Sequence, residues 1–134
     1  MYSQQATENP SKKKVLLSDA MLYLFAKEAE KKGTFKLRMA DIYKVMSDLQ
    51  SDFNELDISI NFEKIGTDVY SRRVDEAMYY LIPFDVQIVN PSFSIVLAKE
   101  PASLRLDKLE HRLSDEAKKK LDSVFEKFDA LLPQ

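Results

Sequence analysis

Apolar residues recur along this chain with two periods, and each change of period predicts a change of secondary structure. From Val15 to Lys32 they return every three or four positions, the spacing of one helix face. Lysines fill the last turn and Gly33 follows, which predicts the end of the helix. Ser18 is the predicted N-cap. The charged residues of this helix are expected to face water: Lys27, Glu28, Glu30, Lys31 and Lys32.

A short strand and a second helix are predicted next. Residues 34–37 alternate in polarity, and a helical spacing of apolar residues then predicts a helix from about Met39 to Leu49. Residues 56–62 alternate strictly, which is typical of a strand with one buried face. Two alternatives stay open for this segment. It either pairs with the strand around Phe35 and the later hairpin, or it is an extended linker.

The second half of the chain predicts a helix, a hairpin and further helices. A third helix is expected from about Asp68 to Leu81, with Pro83 ending it. Two alternating apolar runs follow, joined at residues 90–92, and they predict a β-hairpin. After Pro101 the pattern is helical, and Ser114 with its following acids predicts a fresh N-cap between two helices.

This order of elements is similar to that of the winged helix-turn-helix superfamily over about residues 15–98. The resemblance implies an α+β fold, with a winged-helix-like domain at residues 14–100. A disordered leader at residues 1–13 and a C-terminal helical extension at residues 101–134 would flank it. A winged helix docks on DNA and on other proteins alike, so the resemblance implies a shape and leaves the function open.

Composition narrows the classes of function. The chain has 134 residues, a net charge of −2 and 45% hydrophobic residues, as expected for one globular domain. It has no cysteine, which excludes disulfides and thiolate metal sites. Its longest apolar run, residues 20–26, is too short to span a bilayer, so we expect a cytoplasmic protein with no membrane partner.

No pattern of residues predicts catalysis. His111 is the only histidine, and a lone histidine makes neither a triad nor a metal site. Two glycines cannot supply a glycine-rich phosphate loop, and no serine has the Gly-x-Ser-x-Gly setting. We therefore expect a non-enzymatic protein with no catalytic residue, no metal and no cofactor.

Contact with DNA is one hypothesis. In a DNA-binding winged helix, cations at the start of the third helix meet the major groove, and a basic arm adds phosphate contacts. The nucleic-acid candidates are Lys12, Lys13, Lys14, Lys64, Arg72 and Arg73. Asp68, Asp75 and Glu76 share the predicted helix with the arginines, and the hairpin tip at residues 90–92 has no cation. Both features disfavour phosphate binding.

Contact with protein is the other hypothesis. The C-terminal helix carries an apolar stripe, and its predicted interface residues are Leu121, Val124, Phe125, Phe128, Leu131 and Leu132. This stripe favours a homodimer, although packing within the monomer stays open. Tyr79 and Tyr80 are adjacent on the third helix and would point about 100° apart. We expect one of them in the core; the other packs at the core edge or contacts a partner.

The leading hypothesis is therefore a protein-interaction module, an adaptor or small subunit on a winged-helix-like scaffold. The acidic middle of the chain supports it, since residues 34–99 hold seven Lys and Arg against ten Asp and Glu. The alternative is a dimeric DNA-binding transcriptional regulator, in which the C-terminal helix would set the spacing of the half-sites.

Overall fold

The computed structural model describes residues 15–133. Their helices are α1 (Leu17–Lys32), α2 (Met39–Asp48), α3 (Gln50–Asn54), α4 (Arg72–Leu81), α5 (Lys99–Arg112) and α6 (Asp115–Leu131). The strands are β1 (Thr34–Arg38), β2 (Glu63–Ile65), β3 (Asp68–Tyr70), β4 (Gln87–Val89) and β5 (Ser94–Ala98). A 3₁₀ turn, Ile82–Phe84, follows α4. The fold is thus mixed, with helices and small antiparallel sheets, which confirms the α+β prediction. The predicted leader, residues 1–13, lies outside the described residues.

A three-stranded antiparallel sheet with the order β1-β5-β4 joins the two halves of the chain. Phe35 pairs with Leu97 and Leu37 with Ile95, and all four side chains are buried. The predicted hairpin is present, but β4 is shorter than the alternation from Phe84 suggested, because the chain first forms the 3₁₀ turn. One sheet face therefore packs into the core.

Helix α1 is the centre of the core and is covered on almost all sides. It contacts α4, α5, α6, β1 and β5. Phe25 of α1 stacks on Phe35 of β1 with ring centroids 4.4 Å apart, and Phe128 of α6 lies 6.1 Å from both rings. The α5 and α6 segment thus shares one core with the rest of the chain.

This burial corrects two predictions about α1. The helix begins at Leu17 with Leu16 as its N-cap residue, and Ser18 lies buried inside the first turn without a capping bond. Glu28, expected in water, is only 2% exposed because α6 covers that side of α1. The end of the helix at Gly33, with a φ of 94°, follows the prediction.

The segment at residues 56–62 corrects the predicted strand. Leu56, Ile58 and Ile60 are buried in alternation, as a strand with one buried face requires, yet residues 58–62 pair with no strand among the described residues. Other bonds hold this segment: the Ile58 backbone N–H donates to the Phe53 carbonyl at 3.0 Å, and the Gln50 amide donates to the Ile60 carbonyl at 2.7 Å. Of the two alternatives, the structure therefore contains the extended linker.

The third predicted helix begins four residues later than expected. Asp68–Tyr70 is β3, which pairs with β2 across a tight turn at Gly66, whose φ is 66°. Helix α4 then begins at Arg72, and Ser71 is its N-cap residue. The Ser71 hydroxyl accepts the Val74 backbone N–H at 3.2 Å. The predicted inner stripe of this helix is buried: Val74, Ala77, Met78 and Leu81.

The last two helices meet as predicted. Leu113 ends α5, and the Ser114 hydroxyl accepts the Ala117 backbone N–H at 3.1 Å, capping α6. Pro101 lies in the first turn of α5, where a proline has no helix bond to break.

Candidate functional site

The exposed face of α4 divides into a charged half and an aromatic half. Because the buried stripe occupies one side of the helix, five residues share the other: Arg72, Arg73, Glu76, Tyr79 and Tyr80. The prediction that one tyrosine would enter the core is wrong, since Tyr79 is 54% and Tyr80 57% exposed. Two large aromatic side chains therefore face solvent at the C-terminal end of α4.

Both arginines in the charged half of α4 form bonds within the chain. Arg72 Nε lies 3.3 Å from Glu76 Oε2, and Arg73 Nη1 donates to the Ser59 carbonyl at 2.6 Å. Both arginines line a groove of about 430 Å³ whose other residues are Ser59, Asn61, Glu63 and Glu76. Two carboxylates thus share the groove with two guanidinium groups.

Lys64 does not join these arginines. It lies on β2, where side chains alternate between faces, and its neighbour Glu63 is the residue that lines the groove. The structure therefore brings Arg72 and Arg73 together and leaves Lys64 outside their groove. The remaining nucleic-acid candidates, Lys12, Lys13 and Lys14, lie outside the described residues.

The hairpin tip is uncharged and partly apolar. Asn90, Pro91 and Ser92 are exposed, and Phe93 beside them is 40% exposed. The Phe93 carbonyl accepts the Met39 backbone N–H at 2.9 Å, which fixes the tip against the start of α2. The tip presents apolar surface and no cation.

A cleft of about 240 Å³ lies between the start of α1, the end of α4 and α5. Its floor is formed by the buried side chains of Leu22, Leu81 and Leu109. Leu16 and Tyr80 form its walls, and both are more than half exposed. Large apolar side chains in water around an apolar floor are typical of a contact surface.

The aromatic wall of the cleft is ordered by neighbouring groups. The Tyr80 and Phe84 rings are 5.7 Å apart, and the Arg105 guanidinium lies 5.2 Å from the Phe84 ring centroid. Arg105 also binds the Asp85 carboxylate at 3.0 Å. These contacts hold the 3₁₀ turn against α5 and so shape one side of the cleft.

Three cations of α5 line the cleft: Arg105, Lys108 and Arg112. Their spacings of three and four place them on one helix face. Arg112 lies 3.2 Å from Asp19, the one carboxylate in the lining. Within residues 15–133, Lys108 makes no ion pair or side-chain hydrogen bond. The lining is therefore positive in a protein whose net charge is negative.

The predicted C-terminal interface residues lie mostly inside the core. Leu121, Val124, Phe128 and Leu132 are buried, Phe125 is half-buried, and Leu131 is 40% exposed. Helix α6 packs on α1 of the same chain, so the stripe that motivated a homodimer is largely covered. The homodimer loses that support and stays a prediction.

The contact between α1 and α6 contains a buried carboxyl pair. Lys32 Nζ lies 2.5 Å from Glu28 Oε2 and 3.4 Å from Asp129 Oδ1, and Lys31 binds Asp129 at 2.6 Å. Burial raises the pKa of Glu28, and the adjacent Asp129 adds to this effect. The hydrogen bond from Lys31 and the neighbouring Glu28 lower the pKa of Asp129 to about 2.

His111 is exposed, and its Nδ1 lies 2.8 Å from the Asp107 carbonyl of its own helix. This contact within α5 accounts for the position of the His111 ring, so no ligand is needed to explain it.

Sequence reasoning missed the cleft because three separate segments build it. One signal was available: cations at positions 105, 108 and 112 share a helix face. Their apolar neighbours could be placed beside them only by the tertiary packing of α1, α4 and α5.

Comparisons of the chain with family models, with curated proteins and with solved structures gave no match. Among the helices of residues 15–133, none combines the length and the apolar composition needed to cross a bilayer.

Proposed function

We propose that this protein is a non-enzymatic protein-interaction module, an adaptor or small subunit on a winged-helix-like scaffold. The scaffold is supported by the sheet order β1-β5-β4, which joins the strand after α1 to the hairpin after α4. The short helix α3 and the β2–β3 hairpin are departures from the simplest form of that scaffold.

The observation that carries the proposal is the cleft beside Tyr80. Leu16 and Tyr80 are exposed by 55% and 57%, beside an apolar floor that is already formed. Exposed aromatic side chains at the rim of a preformed pocket are the groups that act as hot spots in protein interfaces. Docking of a partner would bury them and remove their contact with water.

The experiment is site-specific photo-crosslinking. A photoreactive phenylalanine analogue is placed at Tyr80 and, as a matched control, at the exposed Lys119 of α6, which is outside the cleft. After irradiation in an extract of the source cells, we expect protein adducts at position 80 that excess unlabelled wild-type protein suppresses. Excess Tyr80→Ala protein should suppress them less.

Equal adduct yields at positions 80 and 119 would contradict the proposal. So would adducts at position 80 that the wild type and Tyr80→Ala proteins suppress equally, because the crosslinks would then not depend on the cleft surface.

The alternative function remains a DNA-binding regulator that uses the Arg72 and Arg73 groove. The observation in its favour is that both arginines are exposed side by side at the start of α4. Their bonds to Glu76 and to the Ser59 carbonyl and the uncharged hairpin tip place it second.

A further inference from the structure

We propose that the cleft between α1, α4 and α5 binds a short acidic peptide segment that inserts one large apolar side chain. This inference rests on the proposed function and adds the chemistry of the partner. It follows from the volume, the lining and the charge of the cleft.

The volume fits one side chain. Pockets for small molecules usually span about 300–1,000 Å³. The cleft encloses about 240 Å³, so it is small for a drug-sized ligand. A cleft of this volume fits a single leucine, phenylalanine or tyrosine side chain of a partner.

The lining selects an apolar anchor. Leu22, Leu81 and Leu109 at the floor are buried and offer no hydrogen bond from their side chains. Tyr80 and Phe84 stand at the wall as a tilted aromatic pair. A polar side chain placed here would lose its water without gaining partners, whereas an apolar one gains from burial.

The charge selects acidic flanks. Asp85 and Asp19 each pair with one arginine of this helix face, and Lys108, which has no carboxylate partner within residues 15–133, supplies the excess positive charge. A positive patch on a protein of net charge −2 attracts anionic segments and repels basic ones. The two arginines are already ordered by Asp85 and Asp19, so a peptide carboxylate meets side chains held in place.

The test begins with selection from a random-peptide phage library on the immobilised full-length protein. We expect the selected peptides to share one large apolar residue with Asp or Glu on either side. Representative peptides are then synthesised with a fluorescent label, and their affinities are measured by anisotropy at several salt concentrations.

Variants of exposed residues locate the binding site. Lys108→Glu should weaken binding about fivefold, because it replaces a rim attraction with a repulsion. Tyr80→Ala should weaken binding about tenfold or more. Lys119→Glu makes the same charge change on α6 and should leave affinity unchanged. Since positions 80, 108 and 119 are exposed, all three variants are expected to fold, which circular dichroism checks.

Selection of basic peptides, selection of none, or equal effects of Lys108→Glu and Lys119→Glu would overturn the inference. Failure of this inference can be distinguished from failure of the proposed interaction function. If Tyr80-dependent crosslinks form but acidic peptides are not selected, the protein docks a partner of different chemistry. If neither appears, both proposals fall.

Discussion

The hydroxyl of Tyr23 on α1 donates a 2.6 Å hydrogen bond to Oδ1 of Asp122 on α6, 99 residues later in the chain. The Tyr23 side chain is buried, and Lys27 of α1 lies 3.4 Å from the same carboxylate oxygen. Burial of the phenol and its bond to Asp122 raise the pKa of Tyr23. This bond links the last helix to the first within one chain, beside the packing of Phe128 on Phe25.

Loss of this bond should destabilise the protein modestly. Tyr23→Phe keeps the ring in the core and removes the donor, so we expect the free energy of unfolding to fall by about 1 kcal/mol. Asp122 reaches water, which limits the loss. Urea unfolding measures the change, and Tyr79→Phe, at an exposed tyrosine of α4, is the matched control and should be neutral. Equal stability of all three proteins would show that the Tyr23 bond adds no net stability.

The buried carboxyl pair predicts a dependence of stability on pH. The folded-state pKa of Glu28 is raised above its ordinary value of 4.5, so its contribution is present below that value. This contribution is lost as the pH rises through the raised pKa. Glu28→Gln cannot ionise, and we expect its stability relative to wild type to rise with pH above 4.5. The rise should reach at most about 1.4 kcal/mol per pH unit.

Urea unfolding of both proteins across this pH range measures the effect. Asp129 has the opposite sign, because its pKa of about 2 lies below its ordinary value of 3.8. Its contribution is lost only as the pH falls below that ordinary value towards 2, so measurements above pH 4.5 report mainly on Glu28. Glu126→Gln, at an exposed acid of α6, is the control. A stability difference between Glu28→Gln and wild type that stays constant with pH would contradict the prediction.

Packing of α6 within the monomer predicts unequal effects along its apolar stripe. Phe128→Ala should cost about 3–5 kcal/mol, since the ring is fully buried beside the stacked rings of Phe25 and Phe35. Leu131→Ala should cost less, about 1 kcal/mol, because the residue is 40% exposed near the end of α6. Thermal unfolding at several protein concentrations compares them. A large, concentration-dependent loss in Leu131→Ala would indicate that α6 packs on a second copy.

The same packing decides how the C-terminal helix can be used in experiments. Removal of the chain after Ser114 would take away Leu121, Val124 and Phe128, all of which are buried in the shared core. We expect such a truncated chain to lose its fold. Loss of a partner in that protein would therefore not identify a docking surface, whereas single substitutions at the exposed cleft residues would.

The DNA alternative predicts a salt-dependent signal that we do not expect to see. Fluorescence anisotropy with random-sequence duplex DNA should show no binding at low salt, because Glu63 and Glu76 share the groove of the two arginines and would repel phosphate. Binding with a logarithmic salt slope of about −0.9 per phosphate neutralised, abolished by Arg72→Glu, would favour the regulator. Arg72→Glu is preferable to a change at Arg73, whose bond to the Ser59 carbonyl helps to hold residues 56–62.

Elements marked by local chemistry were predictable from the sequence. Gly33 ends α1 and the Ser114 hydroxyl begins α6, because a left-handed residue and a side-chain cap act within one turn of the chain. The buried faces of α2 and α4 also followed the apolar spacing. These features depend on neighbours a few positions away, and a sequence displays such neighbours directly.

Residues 56–62 show where that reasoning stops. Their alternation correctly indicated which side chains are buried, but a strand also needs a partner backbone, and none lies beside them within the described residues. Glu28 shows the same limit for a charge. Its position on α1 predicted exposure to solvent, and Glu28 is buried because α6 packs over this side of α1.

Within residues 15–133, the sequence by itself determined five of the six helices, three of the five strands and most of their apolar faces, because periodicity and capping are local properties, whereas α3, β2 and β3 were not predicted. Tertiary structure alone decided which face covers which. It set α6 against α1, joined β1 to β5, and brought Leu16, Tyr80 and Lys108 around one cleft. The physical reason is that apolar burial has no preferred direction. An apolar stripe in the sequence predicts that one face of an element will be buried. The packing of the whole chain determines which other element buries it.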